Sequence, residues 1–294
     1  MSHDAMVEFR FAEVDVEVVY DKESEQVGDL LAFCYAELKK PPQGRFRPSG
    51  SVGARLRYRI GSGAGGSDRT GRPAGPYLLE VPTGETYPAD DEGALLFLFE
   101  KDLTTRSQRI RSDLLFLHAA ALGREGQAVL LVGDPGSGKS TLTFALLEGG
   151  GFAYLSDELA PVELDTLSVS PYPRALWLKQ PPPTPWKLPP ANRRSSRGIH
   201  VPCAALGAEP APQALPLGAL FLMEPGVAVR QDPSLWRISA AEATARLFAN
   251  FLNPRGHPSA GLDGALAVAS AVPCFALRPA GLEATRSLLL AALD

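Results

Sequence analysis

Very little in this sequence can staple a fold together covalently or through metal. Only three of the 294 residues are cysteine, Cys34, Cys203 and Cys274, and no two form a CxxC pair. An odd count without metal-ligand spacing argues against a disulfide framework and suggests reduced thiols, most simply buried as small apolar groups. Long apolar runs are also missing, since no window approaches the roughly 18 residues of a membrane span. No basic excess exists either. The formal net charge is -4, which gives no electrostatic footprint for nucleic acid. The first residues, "MSHDAMVEFRFAEVD", are acidic and alternating, unlike a secretory signal. We found no internal repeat. These absences together predict a cytoplasmic protein with no membrane or nucleic-acid partner.

What remains is ordinary globular material. A hydrophobic content of 45% and a charged content of 21% are enough for a sizeable core in one large α/β domain, or in a large and a small one. Residues 7–20 alternate apolar and charged positions, the period of half-buried strands. "GDLLAFCYAELKK" and "EGALLFLFEKDLTTRSQ" have helical spacing, and "GSGAGGSDRTGRPAG" between them reads as a flexible connector. Near Ser112 the character changes. "DLLFLHAAAL" and "QAVLLV" are continuous apolar runs of the kind found in buried strands. The pattern therefore divides into an N-terminal α+β region over 1–112 and a second domain over 113–294. Prolines crowd the stretch from Pro161 to Pro216, where "QPPPTPWKLPP" reads as an extended spacer.

The chemistry concentrates in "LLVGDPGSGKSTL", Leu130 to Leu142. Its GxxxxGK[ST] core follows an apolar strand and opens a helix predicted over Lys139 to Glu148. In that context, successive backbone N–H groups surround phosphate oxygens, aided by the positive end of the helix dipole. Gly133, Asp134, Pro135, Gly136, Ser137, Gly138, Lys139, Ser140 and Thr141 are the expected nucleotide contacts. Lys139 is expected on the β- and γ-phosphates and the Ser140 hydroxyl on Mg²⁺.

Two flanking residues address the reaction. Asp157 lies eighteen positions after Lys139 at the end of the next apolar strand, where a carboxylate either holds Mg²⁺ or accepts a proton from an attacking hydroxyl. Glu158 follows it as a further candidate for Mg²⁺. His118 lies fifteen positions before Gly133 inside an apolar run. Arg174 and Lys179 are candidates to offset phosphate charge. Arg193, Arg194 and Arg197 could form a lid, and Arg255 and His257 are weaker site candidates.

"LHAAALGREGQAVLLVGDPGSGKSTL", followed by "GGFAYLSDELAPVEL" and "PYPRALWLK", resembles the HPr kinase/phosphorylase family, and its stand-alone HPr-kinase-related branch in particular. A weaker likeness extends through "ANFLNPRGHP" and "PCFALRPAGLEATRSLL". Coverage is roughly 113–290. The resemblance implies a mixed-sheet α/β P-loop core of the HPr kinase/phosphoenolpyruvate carboxykinase type, with a smaller N-terminal α+β region. It implies ATP and Mg²⁺ as cofactors, Asp157 as general base toward a serine-type hydroxyl, and His118 beside the moving phosphoryl group. The acceptor would be a protein, a peptide or a small hydroxyl compound, for instance from a peptide-modification system. The family's second aspartate is Glu158 here. Its C-terminal signature is not recognisable, so neither phosphorolysis nor a hexamer is implied, and homo-oligomerisation stays open. Two alternatives follow from the loop alone: a nucleotide-switched binding module with slow turnover, and a scaffold without chemistry.

Overall fold

The structure, a computed structural model, describes residues 4–39, 53–63, 75–224 and 232–294. Most of the connector predicted between Gly61 and Gly75 lies outside the described residues. Seventeen strands are described: β1 (Ala5–Phe11), β2 (Val14–Tyr20), β3 (Ala54–Ser62), β4 (Tyr77–Glu80), β5 (Thr86–Ala89), β6 (Leu114–Leu117), β7 (Ala119–Arg124), β8 (Gln127–Val132), β9 (Ala153–Ser156), β10 (Ala160–Glu163), β11 (Ser168–Val169), β12 (Leu176–Leu178), β13 (Arg193–Ser195), β14 (Gly198–Val201), β15 (Leu215–Met223), β16 (Ser234–Arg237) and β17 (Cys274–Arg278). Six α-helices accompany them: α1 (Glu25–Cys34), α2 (Glu92–Ile110), α3 (Lys139–Glu148), α4 (Ala240–Ala249), α5 (Leu262–Ala271) and α6 (Leu282–Leu293). None is long and apolar enough to cross a membrane.

The alternation in residues 7–20 becomes a hairpin, β1 antiparallel to β2, turning at Ala12 and Glu13 with φ of 48° and 64°. β1 to β5 form a five-stranded sheet in chain order. Val7, Phe9 and Phe11 bury one face of it against Leu31 of α1 and Phe99 of α2. Asp91 caps α2, its carboxylate accepting from the Ala94 N–H. The same core takes in Leu114, Phe116, Leu159 and Tyr172, so it continues past residue 112 without a break.

The second sheet is mixed. β8 runs parallel to β15 and antiparallel to β7, and β9 continues antiparallel from β7. Both faces are covered. Leu130 and Val132 of β8 point toward Ala243 and Leu247 of α4 and Val268 of α5. The intervening Val129 and Leu131 pack with Leu142, Phe144 and Leu146 of α3 and Leu289 of α6. Burial on both faces is why β8 reads as an unbroken apolar run. Fold class is therefore α/β with mixed sheets. A small third sheet, β12-β14-β13, stands beside this core. "QPPPTPWKLPP" is not detached from the core: Trp186 lies edge-on to Phe144 of α3, ring centroids 6.3 Å apart.

Candidate active site

Strand register brings the candidate residues to one edge. Ala119 pairs with Val132 across β7 and β8, and Ala121 pairs with Ser156 across β7 and β9. The residue before β7 is His118, the residue after β8 is Gly133, and the residues after β9 are Asp157 and Glu158. Three segments distant in the chain therefore end side by side.

The apolar run "DLLFLHAAAL" is two strands rather than one. β6 pairs with β10, whereas β7 pairs with β8 and β9, and the chain changes partners at His118. The His118 N–H leaves the ladder to donate to the Asn250 carbonyl at 2.8 Å.

The loop from Gly133 to Gly138 leads straight into α3. Gly138 caps the helix with a φ of 93°, a left-handed conformation that L side chains rarely adopt. At Gly133 the constraint is space, because a Cβ there would sit 2.9 Å from the Met223 carbonyl oxygen. No side chain caps α3, which leaves its first N–H groups to an external partner. The Ser137 hydroxyl is buried in the loop without a hydrogen-bond partner. A tight loop with an uncapped helix start and an orphaned hydroxyl suits a ligand rich in acceptor oxygens.

Lys139 is the buried cation of this edge. Its Nζ donates to the Gly133 carbonyl at 2.5 Å, to the Asp134 carbonyl at 3.2 Å and to His118 Nε2 at 3.2 Å. An ammonium only donates, so Nε2 is the accepting nitrogen and the ring proton sits on Nδ1. The His118 ring also hydrogen-bonds the main chain of Glu158. Burial, then the Lys139 charge, hold the imidazole below its ordinary pKa, so it is neutral at neutral pH. Burial likewise lowers Lys139, opposed first by the Glu158 charge.

Asp157 does not occupy the position expected of a base. Its side chain is 1% exposed and both oxygens are engaged. Oδ1 accepts from the Tyr154 hydroxyl at 3.1 Å and lies 3.6 Å from Arg174 Nη2, while Oδ2 accepts from the Trp177 N–H at 2.8 Å. The open acid is Glu158, whose side chain is 43% exposed. Of the two adjacent acids, Glu158 is the one open to an incoming group.

Arg174 is also placed differently from expectation. It is 2% exposed and bound by three carboxylates: Glu158 at 2.5 Å, Glu100 of α2 at 3.1 Å and Asp157 at 3.6 Å. With all its charge absorbed, it is a clamp for acids rather than a phosphate ligand. Three carboxylates against one buried guanidinium favour retention of a proton in the cluster. Burial accordingly pushes Glu100 up to about 7 and raises Asp157 as well, with Arg174 opposing both. Lys179, by contrast, is exposed just after β12, and its charge adds only slightly to the burial that lowers Lys139.

The remaining candidates lie away from the loop edge, and of them only Arg197 lines a cleft that also reaches His118 and Glu158. Arg193 lies over the Phe33 ring at 5.2 Å and Arg197 over the Phe97 ring at 4.6 Å. These contacts pin the β13–β14 hairpin to α1 and α2, so the arginines are stacked rather than free to form a lid. His257 Nε2 is spent on the Leu114 carbonyl and Asn253, and Arg255 is exposed on a neighbouring turn. All three cysteines are free and buried. Glu100 is the participant that the sequence pattern missed, lying in α2 within an ordinary helical run.

Among the described residues no group of three or more His, Cys, Asp or Glu could hold a metal ion.

Comparisons with known proteins add little. No protein-family model matches the chain, and neither does any curated protein. Among solved structures, the chain is similar to the Hpr(Ser) kinase/phosphatase from Coxiella burnetii at 14% identity and a TM-score of 0.32, covering 60% of this chain and 92% of that one. A likeness that weak carries no conclusion about this site.

Proposed function

We propose that this protein is an ATP-dependent phosphotransferase acting on a serine-type hydroxyl. One observation carries the proposal: a glycine loop with its lysine, a neutral histidine and an open carboxylate meet at one sheet edge. Loop N–H groups and the start of α3 hold the phosphates, and Lys139 moves from the Gly133 and Asp134 carbonyls onto them. Mg²⁺, held by the Ser140 hydroxyl together with the phosphates, would offset charge on the transferring group. Lys179 adds a second positive charge nearby.

Glu158 orients the acceptor hydroxyl and takes its proton, the role first expected of Asp157. The acceptor oxygen bonds to the γ-phosphorus, the bond from that phosphorus to the β–γ bridging oxygen breaks, and ADP leaves. His118 holds Lys139 and the Glu158 main chain in register. Buried Asp157 anchors Arg174 and the Trp177 backbone, which fixes Glu158 from behind.

The burial of Asp157 also favours a second reading, nucleotide binding with slow hydrolysis and no acceptor. Incubation with γ-labelled ATP separates the two. Label in an acceptor, lost in Glu158→Gln, supports transfer; label released only as inorganic phosphate supports the switch.

A further inference from the structure

A cleft of about 350 Å³ opens between α2 and the small β12-β14-β13 sheet, with His118 and Glu158 on its wall. We propose that this cleft is the acceptor site, and that it takes a hydroxyl compound of about amino-acid size carrying a carbonyl or carboxylate. The proposal rests on the phosphotransfer reading.

Size is the first reason. The volume equals roughly a dozen liquid water molecules, at the lower end of small-ligand pockets. A free amino-acid derivative or one residue of an extended peptide fits that space, whereas the surface of a folded protein does not.

Polar chemistry is the second. Trp177 and His200 both line the cleft, and the Trp177 Nε1 and His200 Nδ1 atoms are buried with no hydrogen-bond partner. His200 is 2% exposed, and its Nε2 already meets the Ser195 hydroxyl at 3.2 Å. Burial, then the Arg174 charge, lower its pKa to about 4, so the ring is neutral. Neither Nε1 of Trp177 nor Nδ1 of His200 is open to solvent, and the indole nitrogen packs against Gly198 of β14, so the polar handle for a ligand is Arg197. Arg197, stacked on Phe97, supplies positive charge on the same cleft.

Placement is the third. Glu158, which would receive the hydroxyl proton, lines the same cavity as Arg197. A compound with a hydroxyl near a carbonyl or carboxylate oxygen can meet both at once. Leu96, Phe97 and Leu159 supply an apolar wall for its carbon skeleton. Because α2 forms one side, the N-terminal region helps to choose the acceptor.

The test is calorimetric binding of N-acetylserine, and separately of Mg·ATP, to the full chain and two variants. Thr104→Trp fills the cleft from α2, and Arg197→Gln removes the positive charge at its rim. N-acetylserine should bind the wild type, weaken about tenfold in Arg197→Gln and vanish in Thr104→Trp, with Mg·ATP affinity unchanged in both. Equal N-acetylserine binding by all three proteins, or none by the wild type, would overturn the proposal. So would loss of Mg·ATP affinity in Thr104→Trp, which would make the cleft a nucleotide-base pocket. Absence of Mg·ATP binding alongside intact N-acetylserine binding would instead overturn the phosphotransfer reading.

Discussion

Lys139 Nζ and His118 Nε2 lie 3.2 Å apart although twenty-one residues separate them in the chain. The contact exists because β7 and β8 are antiparallel and His118 sits where the chain leaves β6 for a new partner. An imidazole that accepts from the loop lysine and also bonds the Glu158 main chain ties both halves of the site together.

Removing that tie should impair positioning more than stability. His118→Ala is expected to lower transfer about a hundredfold, the scale of a small misplacement of reacting groups, with a melting temperature near wild type. His118→Asn, which can still accept from Lys139, should recover part of the rate. Steady-state kinetics with thermal denaturation check both.

The adjacent acids should separate by role. Glu158→Gln is expected to lower transfer by roughly 10²- to 10⁴-fold, the range for lost acid–base assistance, while the fold stays intact. Asp157→Asn should act mainly on stability, because a buried carboxylate that accepts from Tyr154 and Trp177 beside Arg174 is replaced by a group that cannot pair with that charge. Denaturant titration of both variants beside their rates checks the split.

Glu100 should leave a signature in the pH dependence of stability. Its carboxyl titrates at about 7 in the folded chain against 4.5 for an ordinary glutamate. The folded state therefore holds this proton more tightly than the unfolded state does. Its stabilising effect is complete below about pH 4.5 and is lost as pH rises through about 7, on the order of 3 kcal/mol across that window. Glu100→Gln keeps a neutral side chain and should flatten the decline, measured by denaturant unfolding at several pH values.

Gly138→Ala tests the loop itself. At a φ of 93° an added Cβ is strained, so about 1 kcal/mol of destabilisation and a weaker grip on phosphate are expected. Lys139→Ala should remove the charge and release the Gly133 and Asp134 carbonyls, lowering transfer by roughly 10²- to 10³-fold. Calorimetry with Mg·ATP separates the two effects.

Local features were legible in the sequence. The helix predicted over Lys139 to Glu148 matches α3, because the glycine loop fixes its start and the triple glycine its end. The buried strands around the loop were visible as apolar runs, since both of their faces are covered. Less visible was the break at His118, because "DLLFLHAAAL" is uniformly apolar and only the change of pairing partners divides it. The fate of Asp157 was illegible for a related reason. Adjacent Asp157 and Glu158 look equivalent in sequence, and which of them is buried depends on Arg174, Tyr154 and the Trp177 backbone. Arg174 in turn depends on Glu100, seventy-four residues away in a helix that read only as amphipathic.

The most direct test of the central claim is ³¹P NMR of the full chain turning over Mg·ATP with N-acetylserine present. A phosphomonoester resonance growing in step with ADP, and absent with Glu158→Gln, is the expected result. ADP accompanied only by inorganic phosphate, at the same rate with and without N-acetylserine, would contradict it.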